Sequence, residues 1–150
     1  MLYLGADYRG YKIKEVVKRY LTKTQVKFQD LGTHNRAPTD FVDYALEVGQ
    51  LVAKAPEDHR AILVCGTGEG MAIAANKIKG VRAGLCWDTH VARHAVESDD
   101  INVLCLPADS LNQKQAIDIV KHWLAAKFDG ATRHVRRLQK LRKHENRVFK

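Results

Sequence analysis

The chain has 150 residues, with 25 Lys and Arg against 17 Asp and Glu and a net charge of +8. That length suits one domain over 1–150 that buries roughly two thirds of its unfolded surface. Its apolar runs fall far short of the roughly 20 residues of a membrane span. Met1 to Gly5 carries no basic leader, so a cytoplasmic protein with no membrane partner is expected. The three cysteines, Cys65, Cys86 and Cys105, are odd in number and lack CxxC spacing, which indicates neither a disulfide framework nor a metal site.

Taken in chain order, apolar runs of strand length alternate with helical periodicity, the pattern of βα units around a parallel sheet. Residues 2–6 read as the first strand and 11–21 as an amphipathic helix with Ile13, Val16, Val17, Tyr20 and Leu21 on one stripe. A weaker strand over 26–31 precedes the longest loop, 32–40, and a helix over 41–54. The runs 61–65, 81–86 and 101–106 read as buried strands. Between and after them come a glycine turn with its helix, a helix over 89–97 and another over 112–128. Beyond Gly130, Val135, Leu138, Leu141 and Val148 recur at helical spacing, so the tail is a helix whose apolar stripe wants a partner, a neighbouring subunit being a natural one.

The charge is concentrated in that tail. Residues 131–150 hold Arg133, Arg136, Arg137, Lys140, Arg142, Lys143, Arg147 and Lys150 against the single acid Glu145. Such a helix suits nucleic acid, a phosphorylated ligand or a solvated face equally. Arg133 and Arg137, four apart, have the spacing of a two-pronged phosphate clamp. His90 and His94 share that spacing as metal ligands would, but no acidic third ligand stands nearby.

The most informative junction is Ala61 to Cys65 followed by Gly66-Thr67-Gly68-Glu69-Gly70 and a helix from Met71. A thiol there feels the partial positive charge of a helix N-terminus, which favours thiolate, and the turn's amides suit an anion or a developing oxyanion. Burial as a structural cysteine is the competing reading. A dinucleotide loop wants glycine where Met71 stands, and no Gly-Lys-Ser/Thr follows, so neither NAD nor ATP is indicated. In open α/β sheets ligands bind beyond the carboxyl ends of the strands, which gathers Asp7, Tyr8, Cys65 to Gly70, Trp87, Asp88 and Pro107 to Asp109 at one edge. Asp7 reads either as a helix-capping carboxylate or as a catalytic one.

Gly5-Ala6-Asp7, Cys65-Gly66-Thr67-Gly68-Glu69-Gly70-Met71, Ile73-Ala74-Ala75-Asn76-Lys77, Val81-Arg82-Ala83, Asn102-Val103-Leu104 and Arg133-His134 with Arg137 together resemble the sugar-phosphate isomerase family that includes ribose-5-phosphate isomerase B and galactose-6-phosphate isomerase. The resemblance spans essentially the whole chain. It implies a Rossmann-like three-layer α/β/α sandwich with a five-stranded parallel sheet and a C-terminal helix used in dimerisation. It also implies a cofactor-free and metal-free aldose to ketose isomerisation through a cis-enediolate, in a homodimer or dimer of dimers with shared sites and no nucleic acid partner.

By the same resemblance, Cys65 is the base, assisted by Thr67, and the amides of Gly66, Gly68, Glu69 and Gly70 hold the enediolate. Asp7 and Tyr8 meet the sugar, and Arg133 and Arg137 bind phosphate in the partner's site. The family's Asp-His is Asp7-Tyr8 here, and its Asp-Tyr-Pro is Asp40-Phe41-Val42. Its His-Asn, with the ring-opening histidine, is Ser98-Asp99, and its phosphate-side Gly-x-Arg is Pro107-Ala108-Asp109. Arg9, His90, His94 and Arg136 are the groups available to compensate. A heteromeric enzyme acting on a hexose 6-phosphate, and a homologue that binds sugar phosphate without turnover, are the alternatives.

Overall fold

The computed structural model describes residues 1–149; Lys150, counted above with the basic tail, lies outside the described residues. Strands β1 (Leu2–Ala6), β2 (Phe28–Asp30), β3 (Arg60–Cys65), β4 (Ala83–Leu85) and β5 (Val103–Pro107) form one parallel sheet in the order β2-β1-β3-β5-β4. The helices are α1 (Tyr11–Lys23), α2 (Phe41–Ala53), α3 (Glu69–Ala75), α4 (Thr89–Asp99), α5 (Gln113–Ala125) and α6 (Thr132–Val148).

Alternation along the central strands sorts two cores. Leu4, Ile62, Val64, Leu104 and Leu106 face α1, α4 and α5. Tyr3, Ala61, Leu63, Cys65, Val103 and Cys105 face α2 and α3. A sheet covered on both faces needs apolar residues at every position, which is why β3 and β5 read as continuous runs. The result is the expected three-layer α/β/α arrangement, with α6 outside it, leaning on α4.

The structure shifts several expected boundaries for local reasons. The second strand begins at Phe28 rather than at residue 26, because Gln25 adopts φ 58° and the Val26 N–H donates to the Leu21 carbonyl, closing α1. The fourth and fifth strands start two residues late. There the Asn102 side chain takes the Arg82 N–H and donates to the Pro56 and Gly80 carbonyls, while its own N–H and carbonyl still bond Arg82 and Ala61. Asn112 caps α5 in a reciprocal box with Gln115, and the helix stops at Ala125 as Ala126 turns extended.

One core-facing position runs against the amphipathic pattern. Lys14 of α1 is fully buried, its ammonium 2.6 Å and 2.8 Å from the two Asp30 oxygens at the end of β2. Lys18 adds a 3.0 Å bond to the same carboxylate. Burial alone would raise the Asp30 carboxyl, but the bonds from Lys14 and Lys18 hold it below the usual range. A depressed carboxylate stabilises the fold above its unfolded pKa of about 3.9, and that contribution is lost as pH falls through the lower folded value. Asp30→Ala is therefore expected to cost about 3–5 kcal/mol at neutral pH in denaturant titration, because it leaves the buried Lys14 ammonium with Glu15, 3.1 Å away, as its remaining carboxylate among the described residues. Adding Lys14→Met should recover much of the loss, and the double variant should lose less stability on acidification below about pH 4 than the parent.

Candidate active site

The strand order reverses between β1 and β3, which are adjacent although β2 intervenes in sequence. The loops leaving them part at this switch point, the place at the carboxyl edge where ligands of open α/β sheets bind. On the β1 side Asp7 is buried; its N–H donates to the Val64 carbonyl at 3.2 Å and its Oδ1 accepts the Gly10 N–H at 2.9 Å. A side chain at Gly10 would collide with the Val64 carbonyl oxygen, so only glycine lets this turn lie against β3. Burial raises the Asp7 carboxyl, with the Gly10 and Arg9 N–H groups opposing. Tyr8 is exposed beside it, tied by its N–H to the Thr39 hydroxyl at 3.2 Å.

On the β3 side Cys65 ends the strand opposite Pro107 of β5. Its sulfur accepts the Gly68 N–H at 3.2 Å and the residue is 4% exposed. The glycines that follow are forced by space. Gly68 sits at φ 77°, where an added Cβ would lie 3.1 Å from the Leu106 carbonyl carbon; at Gly70 it would lie 2.8 Å from the Phe41 ring. Thr67 and Glu69 are exposed on the outer side of the turn. Glu69, Gly70 and Met71 form the first turn of α3, where backbone N–H groups have no partner within the helix.

The other cysteines are different thiols. Burial, with Asp88 nearby, pushes the Cys86 thiol up to about 12, and full burial carries Cys105 well above its ordinary value. Both stay protonated near neutrality, which removes them as bases.

The remaining expected site residues are not brought to Cys65 within one chain. Ser98 and Asp99 end α4 just before β5, hence at the amino edge of a parallel sheet whose carboxyl edge holds Cys65. The β5 strand alone separates those edges by roughly 3.3 Å per residue. Ser98 is buried, its hydroxyl donating to the His94 carbonyl at 2.7 Å and meeting His94 Nδ1 at 2.9 Å. Asp99 lines a cavity of about 500 Å³ with Arg82, Leu138 and Arg142, between β4, α4 and α6 and away from the glycine turn. Arg133 and Arg137 stand exposed on α6, whose contacts run to Glu57 and Gly80 at the same amino edge. His90 and His94 meet edge-on with ring centroids 6.0 Å apart.

The structure adds two residues to the crevice that sequence reasoning left unplaced. Phe41 covers Gly70, and Arg9 lies over Gly66, paired with Asp109. Their signal was position: Arg9 follows Asp7 at the carboxyl edge, and Phe41 opens the helix after the longest loop. An aromatic disulfide reagent is expected to titrate one thiol in the native protein and all three cysteines in denaturant. Cys65→Ala should abolish the native reaction, while Cys105→Ala should leave it unchanged.

Comparison with known proteins places this geometry. A model of the Ribose/Galactose Isomerase family matches residues 2–141. Ribose-5-phosphate isomerase B of Escherichia coli is 35% identical over 143 residues, covering 95% of each protein. The crystal structure of ribose-5-phosphate isomerase B from Mycoplasma genitalium with bound ribulose-5-phosphate superposes with a TM-score of 0.93 at 36% identity, over 97% of this chain and 95% of that one. Ribose-5-phosphate isomerase B from Clostridium thermocellum gives a TM-score of 0.92 at 37% identity, over 97% of each chain.

Proposed function

Because the chain belongs to the Ribose/Galactose Isomerase family, we propose that it interconverts ribose 5-phosphate and ribulose 5-phosphate with Cys65 as the base. The observation that carries the reading is the Cys65 sulfur, held by the Gly68 N–H at the switch-point crevice. The likeness to an enzyme crystallised with ribulose-5-phosphate supports the substrate class.

In the forward direction the Cys65 thiolate removes the proton from C2 of the open-chain aldose, and the electron pair moves to form the C1–C2 double bond of an enediolate. The charge on the O1 side is met by backbone N–H groups of the Gly66 to Gly70 turn, a stabilisation that matters most where charge develops. The O2 proton then passes to O1 across the cis-enediolate; return of the proton from the Cys65 thiol to C1, as the O2 charge collapses to the C2 carbonyl, gives the ketose and regenerates the thiolate. The balance closes within the substrate, and the step asks for a poised base and fixed dipoles. Thr67, at the lip of the turn, steadies the thiol side. Asp7 accepts from sugar hydroxyls through the oxygen that Gly10 leaves open, and Tyr8 covers them.

Ser98, Asp99, Arg133 and Arg137 belong to this reading as contributions of a second copy, since one chain holds them at its amino edge. Support comes from apolar groups left bare: Leu141 and Val148 on α6, Ile73 on α3 and Trp87 before α4 are all more than half exposed. A homodimer or dimer of dimers would cover them while completing each site.

Purified protein is expected to form ribulose 5-phosphate from ribose 5-phosphate, and Cys65→Ala to lower kcat by about 10²–10⁴-fold with its melting temperature nearly unchanged. No turnover above that variant sinks the proposal. Asp7→Asn keeps the acceptor for the Gly10 N–H, so it should fold normally yet lose activity; wild-type turnover would reduce Asp7 to a turn former. Light scattering after size exclusion is expected to show at least a dimer, and a monomer with full activity would overturn the shared site.

A further inference from the structure

We propose that Arg9 is the group this chain itself supplies to grip the substrate's phosphate, beside Arg133 and Arg137 of a second copy, and that Asp109 is the residue that positions it. The inference rests on the sugar-phosphate reading above and assigns roles to Arg9, which the sequence offered only as a group available to compensate, and to Asp109, which it set at the carboxyl edge in place of a cation.

Three loops meet at one point. Arg9 comes from the turn after β1, Gly66 from the turn after β3, and Asp109 from the single helical turn after β5. The Arg9 guanidinium lies against Gly66: a Cβ built there would be 2.5 Å from Cζ and 2.6 Å from Nε, so the glycine leaves room for the cation in this position. Asp109 donates its N–H to the Gly66 carbonyl at 2.9 Å, and its carboxylate accepts from Arg9 Nη2. The anion at 109 is therefore spent on steering a cation over the turn that follows Cys65, rather than facing an incoming phosphate unpaired.

The pair has the marks of a binding device. Arg9 is 49% and Asp109 45% exposed, and an ion pair in that much water adds little to stability. A guanidinium carries five N–H donors in a planar fork suited to two oxygens of one phosphate, and Asp109 engages one end of it. Among the described residues Arg9 donates to no other acceptor. Arg133 and Arg137 stand at the opposite edge of the sheet, so Arg9 is the guanidinium that this chain itself holds beside the Cys65 turn. A phosphate anchored there lies at the mouth of the crevice with the sugar extending towards Asp7 and Cys65.

Steady-state kinetics with ribose 5-phosphate and with unphosphorylated ribose separate the roles. Losing a charge-assisted contact, Arg9→Ala should raise KM for ribose 5-phosphate about 10- to 100-fold, with kcat changed by less than about threefold. The same variant should leave kcat/KM for ribose unchanged, and Arg9→Lys should fall between. Asp109→Ala should raise KM less than Arg9→Ala does, and Asp109→Glu should restore it. An unchanged KM in Arg9→Ala, a fall confined to kcat, or an equal loss on ribose would overturn the assignment while leaving the isomerase reading intact. Should the parent protein turn nothing over, calorimetric titration with inorganic phosphate still decides: binding lost in Arg9→Ala supports the inference, and equal binding, or none to the parent, overturns it.

Discussion

The seam between β1 and β3 governs where everything else lies. Ala6 pairs with Val64, the Asp7 N–H continues the ladder to the Val64 carbonyl, and Gly10 lets α1 begin in contact with that same peptide. The seam joins segments far apart in sequence, and the reversal of strand order there is what parts the following loops. Asp7 and Cys65 owe their proximity to this register. A one-residue slip would turn Cys65 from the α2 and α3 face to the opposite core.

Much of this was legible in the residues. The alternation of apolar runs and helical stripes located all five strands, most clearly β1, β3 and β5, whose burial on both faces leaves almost no polar positions to confuse the pattern. Strand ends were less legible, since side chains such as Asn102 and turns such as the one at Gln25 compete for the same backbone groups. The Cys65 turn stood out because strand, glycines and helix follow one another locally. That Ser98 and Asp99 lie at the far edge follows from strand polarity alone: a helix that feeds a parallel strand ends at the strand's amino end.

What could not be read was pairing across loops. Arg9 and Asp109 meet only because β5 lies beside β3 and β3 beside β1, an order that single-chain periodicity does not contain. Taken singly, an aspartate where the resemblance leads one to expect an arginine reads as the loss of a cation. In the fold it reads as a cation carried on another loop. Lys14 was hidden for a similar reason, since a lysine on an amphipathic helix reads as solvent-facing until Asp30 is found beneath it.

Both margins of the sheet end in strands of only three residues, β2 and β4. An edge that short offers too few unpaired N–H and carbonyl groups to template another strand, so the sheet is closed to further strands by length, with the charged Asp30 on β2 adding to the block. In the dimer proposed above, contact between copies would fall to side chains on the helices and be made by shape rather than by backbone pairing. Such an interface has a definite stopping point, whereas strands added to an open edge have none.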